Sequence, residues 1–266
     1  MNTVTEPRPS APGTGGGRAT GAGRSLLDPS IVRGALVDSV RKLHPRTQAR
    51  NPVMFVVLVG KRLEAKIVGV DAPSDVAVLS VNQYWWYEAD RELAARITRV
   101  QDEGLAEWCS QHPDRFVALS TVALQFPDLA AEQLDYAVNR LGLRGASIPG
   151  HVLGEVPSSE KYDPFWAKCQ ELDVPVFMHP GGAENIIRDG AFRGRGALGN
   201  IMGNPLETTY FLSRLIFDGV FDRHPRLRVC GAHAGGYLPS YFGRTEAACD
   251  VRGNANCANT KRPKEY

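Results

Sequence analysis

The sequence predicts an α/β protein of the parallel (β/α)-barrel type, and three observations carry that prediction. Short apolar runs alternate with helical patterns from about Asp71 onward. Those runs lack a polar/apolar alternation, as expected of parallel strands covered on both faces. Two of them end on histidine: Val174 to Pro180 reads VPVFMHP, and Leu227 to Pro239 reads LRVCGAHAGGYLP, which sets His179 and His233 at the same point of two strands. The carboxyl ends of barrel strands converge on one face, so the two imidazoles are expected to project into one pocket, where a metal or proton-transfer site is built. The other reading of each is a hydrogen-bonded histidine at a strand end.

Taken in order, residues 1–24 are rich in Gly, Pro, Ser and Thr with almost nothing to bury, and are expected to be a disordered leader. Their glycines do not form a phosphate loop, because no strand precedes them and no G-K-[ST] follows. Residues 25–70 form a poorly defined segment with a candidate helix from Ser30 to Lys42 and a candidate strand within Asn51 to Gly60. Residues 71–266 are the barrel domain. Val76 to Val81 reads as a buried strand, and Ala89 to Gln111 as a helix with Leu93, Ile97, Val100, Leu105 and Trp108 on its apolar face. Phe116 to Thr121 is the next strand and Asp128 to Leu141 the next helix, with Asp128 as its cap. Leu143 to Ile148 is a strand, Tyr162 to Leu172 a helix, and the first histidine strand follows. A Gly- and Arg-rich loop, Gly181 to Gly199, leads to a helix over about Pro205 to Gly219 and then to the strand Leu227 to Ala232.

Composition bounds the function classes. A chain of 266 residues suits one large domain, and 43% hydrophobic with 23% charged residues is the balance of a soluble globular enzyme. A net charge of +2 argues against a nucleic-acid surface. No run approaches the roughly 20 apolar residues that span a membrane. The five cysteines include no C-x-x-C pair, so a disulfide framework is not expected and a cytoplasmic location is. Cys249 and Cys257 lie close in a polar tail but lack the further ligands of a zinc site.

The phrases HPDRFVAL, YDPFWAKCQELDVPVFMHP, GNPLETTYFLSRLIFDGVFDRHPRLRV and AHAGGYLPSYFGR resemble the amidohydrolase superfamily, in the branch of aminocarboxymuconate semialdehyde decarboxylase and related aromatic-acid decarboxylases. The resemblance runs from about Val76 to Tyr266. It implies a (β/α)₈ barrel and a divalent metal, most often zinc with manganese as the alternative. It also implies a metal-binding histidine at His179, a catalytic histidine at His233, and an arginine at Arg244 that reaches a substrate carboxylate across the interface of a dimer. The residue types suit these tasks: a neutral imidazole ligates zinc, a second one moves protons near neutral pH, and a guanidinium fork matches a carboxylate. A surface salt bridge is the other reading of Arg244. Tyr84, Trp85 and Trp86 fit either a pocket wall or packing, and Arg188, Arg193 and Arg195 either attract an acidic substrate or decorate a solvated loop.

The same resemblance implies an opening H-x-H motif and a late aspartate as further ligands. No H-x-H occurs, His44 is isolated, and the late strand is not found. His112 and His224 are expected to be structural, and His151 to lie at the pocket rim. Five or six strands can be counted, so an incomplete barrel is expected, with first and last parts missing or replaced. Three functions stay open: a metal-dependent carboxy-lyase acting on an unsaturated or aromatic acid, a hydrolase or hydratase of the same superfamily, and a non-catalytic member.

Overall fold

The computed structural model describes residues 76–81, 85–183, 186–188, 190–252 and 255–266, all within a compact unit spanning Val70–Tyr266. The expected leader, the candidate helix and strand of residues 25–70, His44 and Tyr84 lie outside the described residues.

Strand and helix alternate as expected: β1 (Ala77–Leu79), α1 (Arg91–Gln111), β2 (Phe116–Ala118), β3 (Ser120–Thr121), α2 (Pro127–Asn139), β4 (Ala146–Ile148), α3 (Asp163–Glu171), β5 (Pro175–Met178), α4 (Asn204–Phe217), α5 (Val220–Arg223), β6 (Arg228–Gly231) and α6 (Phe242–Val251). All strand pairings named are parallel, in the orders β1-β2 and β3-β4-β5-β6. The expected strand Phe116 to Thr121 is thus shared between two neighbours. Its first half pairs with β1 and its second with β4, because the Leu119 amide still donates to Leu79 while the Ser120 amide turns to Gly145. One chain segment therefore bends the parallel sheet around the core.

The core lies between that sheet and the helices. Val176 and Met178 of β5 and Ile148 of β4 meet Leu134 of α2, Phe165, Trp166 and Cys169 of α3, and Phe211 and Leu215 of α4 in one buried cluster. The Trp166 indole finds its acceptor in the Pro157 carbonyl at 2.9 Å, so a large apolar side chain is buried without orphaning its N–H.

Two expectations for the helices are corrected. Of the expected face of α1, Leu105 packs on the Ala118, Ala137 and Leu143 cluster and Trp108 stacks on Phe116, but Leu93 is 46% and Val100 72% exposed, and the buried residues are Ala94, Thr98 and Asp102. Small and polar side chains let α1 approach the sheet closely, and Asp102 keeps partners in its burial by accepting from the Ser120 hydroxyl at 2.5 Å and the Thr121 amide at 2.9 Å. Asp128 does not cap α2, which begins at Pro127. Instead it takes a two-point ion pair from Arg91, at 3.0 and 2.7 Å, joining the first turns of α1 and α2.

The expected absence of disulfides is also corrected, since Cys249 at the end of α6 is bonded to Cys257, with Cα atoms 6.0 Å apart. The chain turns back within eight residues, bringing the two thiols into bonding range whatever the total cysteine count. Cys109, Cys169 and Cys230 stay free. Thiol titration of unfolded, unreduced protein should therefore find three reactive groups and reduced protein five; five without reductant would contradict the bridge. Among the described residues, no helix is long and apolar enough to cross a membrane.

Candidate active site

The site grows from the carboxyl ends of β4, β5 and β6. β5 is apolar on its buried positions, Val176 and Met178, and the His179 amide extends its ladder by donating to the Ile148 carbonyl at 2.9 Å. Pro180 has no amide to donate, so the chain leaves the sheet there and His179 becomes the last residue held by it. β5 and β6 are in register from Pro175↔Arg228 to Met178↔Gly231, which places His179 and His233 at the ends of adjacent strands. Their ring centroids are 6.4 Å apart at an interplanar angle of 53°. The expected convergence of the two imidazoles is therefore present as geometry.

The proton positions on these rings follow from their partners. His179 Nδ1 lies 3.0 Å from the Pro180 carbonyl, which can only accept, so Nδ1 carries the proton and Nε2 holds the lone pair. Thr208 Oγ1 donates its single proton to the Asn204 carbonyl at 3.1 Å, so toward His233 Nδ1, a long 3.4 Å away, it acts as acceptor. His233 is thereby biased to the same tautomer. Burial holds the pKa of His179 below the ordinary imidazole value, and the neighbouring His233 adds to that effect, so His179 favours its neutral, ligand-competent form.

His233 sits in a strained turn. It and Ala234 have φ of 54° and 51°, in the left-handed region that costs a non-glycine residue roughly 1–2 kcal/mol. Two hydrogen bonds hold the turn: Gly236 N–H to the His233 carbonyl at 2.9 Å, and Tyr237 N–H to Thr209 Oγ1 at 2.7 Å. Gly236 has φ of +65°, and a Cβ there would stand 2.3 Å from the Pro205 carbonyl oxygen, so the turn lies directly on the first turn of α4.

Helix α4 also reaches β4 and β5. Glu207 is only 1% exposed, and its carboxylate accepts from the amides of Gly150 at 3.0 Å, Gly181 at 3.1 Å and Gly182 at 2.6 Å. The sequence reading did not single out Glu207, Thr208 or Thr209. Their signal was an acid placed among inward-facing apolar residues in NPLETTYFL, opposite glycines that follow two strands.

The other candidates separate. Trp85 is buried in the core cluster, and its indole donates to the Ser147 carbonyl at 3.0 Å, with its ring edge near Gly181, so packing is the role seen. Trp86 is 54% exposed. His151 Nδ1 accepts from the Gly154 amide at 3.0 Å, and its Nε2 lies near Gly181. His224 is buried beside Asp163, and His112 packs edge-on against Phe116, both structural roles. Arg244 is exposed in the first turn of α6, and no hydrogen bond or ion pair joins it to either histidine among the described residues. Arg188 and Arg193 line a small surface hollow with Phe192, away from any named contact with the histidines.

Metal ligation is the test this site meets only in part. His179 offers one well-prepared nitrogen, but among the described residues no three His, Cys, Asp or Glu side chains gather as a metal centre requires. The described residues do not complete a metal site.

A parallel α/β sheet carrying its polar groups at the carboxyl ends of the strands defines an enzyme-like architecture. The amidohydrolase family model matches residues 75–252, and the chain belongs to that family. It is 34% identical over 193 residues to a gamma-resorcylate decarboxylase of Rhizobium sp. (strain MTP-10005), covering 69% of this chain and 55% of that protein. It is 32% identical over 195 residues to the 2-amino-3-carboxymuconate-6-semialdehyde decarboxylase of Dictyostelium discoideum, covering 72% and 53%. The chain thus spans about half the length of these curated relatives. The solved structure of a 5-carboxyvanillate decarboxylase from Novosphingobium aromaticivorans, complexed with manganese and 4-hydroxy-3-methoxy-5-nitrobenzoic acid, matches with a TM-score of 0.68 at 25% identity, covering 88% of this chain and 72% of that one. A separate similarity is brief: 39 residues are 74% identical to the potassium-transporting ATPase ATP-binding subunit of Mycobacterium bovis, 15% of this chain and 6% of that protein.

Proposed function

We propose that the protein derives from, and in its working form acts as, a non-oxidative decarboxylase of aromatic or unsaturated carboxylic acids. The observation that carries this reading is the pair of facing imidazoles at adjacent strand ends, each with Nδ1 turned to an acceptor and Nε2 left for chemistry. In decarboxylation the bond between the carboxyl carbon and the ring or alkene carbon breaks, carbon dioxide leaves, and a proton takes its place on carbon. His233 suits that proton: an imidazole can take one up at Nε2 and deliver it at the carbon that loses carbon dioxide. Its strained turn and its contact with Thr208 fix the direction of that nitrogen. Trp85 supplies a flat apolar wall beside the strand ends. Arg244, with its fork unengaged among the described residues, is assigned to the substrate carboxylate, supplied across a homodimer interface.

His179 is assigned as a ligand of a divalent ion. Manganese in the Novosphingobium relative supports that class of cofactor, and zinc remains the reading from donor type. Because the described residues supply no ligand trio, the chain purified from metal-free buffer should carry well under one equivalent of zinc or manganese by elemental analysis. Carbon dioxide release from gamma-resorcylate should then depend on manganese added far above the protein concentration. Stoichiometric metal after dialysis would overturn the ligand count.

The lack of a ligand trio among the described residues also favours the second reading, a family member that keeps the fold without turnover. Absence of carbon dioxide release at any manganese or zinc concentration would select it. A cytoplasmic location goes with the three free thiols, whereas the Cys249–Cys257 bridge weighs against it.

A further inference from the structure

Glu207 is a buried carboxylate with no part in the chemistry just described, and its surroundings are unusual. Three backbone amides from two separate loops converge on it: Gly150 from the loop after β4, and Gly181 and Gly182 from the loop after β5. Gly181 and Gly182 follow His179 by two and three positions, so whatever fixes their amides fixes the exit of that histidine from the sheet. The fit is close, since a Cβ at Gly150 would stand 2.6 Å from Glu207 Oε1 and 2.7 Å from Met178 Cε. The next residue, Thr208, is fully buried and is the acceptor for His233 Nδ1. Consecutive residues of one helix therefore address both imidazoles, one through the backbone and one through the ring.

We propose that Glu207 is the positioning residue of the two-histidine site: its carboxylate occupies a three-amide cradle as a built-in anion and so sets the loop that carries His179, while α4, held in place by this anchor, presents Thr208 to His233. The proposal rests on reading His179 and His233 as the working pair, but its test reads geometry rather than turnover. Charge-assisted bonds from amide N–H to carboxylate are the strong kind, and a site that must be right within about 0.5 Å depends on such supporting contacts.

Emptying the cradle makes the test. Glu207→Ala leaves three amides converging on a vacated space of carboxylate shape. Formate, the smallest carboxylate, is therefore expected to enter and restore what the substitution removed. In heteronuclear spectra of the full chain, the amide signals of Gly150, Gly181 and Gly182 and the imidazole signals of His179 and His233 should all move in Glu207→Ala. They should return toward the parent positions with formate in a saturable manner, and not with sodium chloride of equal ionic strength. Glu207→Gln supplies a second, milder variant. Its amide oxygen still accepts from two N–H groups, but its NH₂ faces the third donor, so the signals of the His179 loop should shift while His233 stays near its parent position.

Histidine signals unmoved in both folded variants, or formate no better than chloride, would overturn the proposal. Failure of both variants to fold in either salt would assign Glu207 to general stability and overturn it equally. The functional reading fails on a different result, full turnover after loss of His233, so the two are separable.

Discussion

On the proposed decarboxylase reading, His233→Asn is expected, in any active form of the protein, to leave manganese affinity unchanged while lowering carbon dioxide release by about 10²- to 10⁴-fold, the usual contribution of a positioned acid or base. His179→Ala is expected to abolish whatever manganese binding the chain has, and turnover with it. The difference follows from what each ring faces. His179 is half-buried, held neutral by desolvation, and has its Nδ1 proton committed to Pro180, which leaves a nitrogen suited to a metal. His233 is exposed, stands on a turn with strained backbone, and is reached by a hydroxyl that can only accept from it. Asparagine retains polarity and approximate size but cannot shuttle a proton near neutral pH. Titration with manganese, following the free ion, separates binding from rate in the same sample. Full activity in His233→Asn would remove that residue from the chemistry and leave it a structural strand-end histidine.

The strand ends were legible because they depend on local pattern. An apolar run long enough for one strand, closed by His-Pro or by Gly-Ala-His, fixes both the element and the place where its polar side chain emerges, and no tertiary information is needed for that. The tautomers of His179 and His233 were not legible, because they depend on Pro180 O and Thr208 Oγ1, whose positions are set by the path of the chain after the strand. Glu207 escaped notice for a related reason. An acid in the first turn of a helix is ordinarily read as favouring the helix dipole at the surface, and only the glycine amides of two other loops turn it into a buried anchor. The inward face of α1 was read correctly at Leu105 and Trp108 but not at Leu93 and Val100, because hydrophobicity alone was followed: these two are more apolar than Asp102, yet the sheet presents Ser120 and Thr121 to the helix, and a hydrogen-bonding side chain fits there better. Cys249 and Cys257 show the limit of counting, since an odd total says nothing about whether two particular thiols are folded together.

That buried aspartate yields the second large effect. Burial pushes the Asp102 carboxyl up from 3.8 to about 7, opposed by the bonds from Ser120 and Thr121. The sign is fixed by proton binding: between the ordinary carboxylate range and about pH 7 the folded protein holds a proton at Asp102 that the unfolded chain has released. Stability contributed by that proton is complete below the unfolded value, falls as pH rises through this window, and is gone above about pH 7. At about 1.4 kcal/mol for each unit of pKa difference, the effect amounts to at most about 4 kcal/mol between acid and neutral conditions. Asp102→Asn removes the titration but not the bonds. The amide oxygen still accepts from the Thr121 N–H, and the NH₂ donates to Ser120 Oγ, so both neighbours keep a partner. Urea unfolding of the two proteins from pH 4.5 to 8 is therefore expected to give a stability difference that grows in favour of the variant as pH rises and levels off above about pH 7. Other titrating groups cancel in that difference. A constant gap across the range would mean that Asp102 is ionised in the folded protein throughout, and that Ser120 and Thr121 by themselves offset the cost of burying its charge.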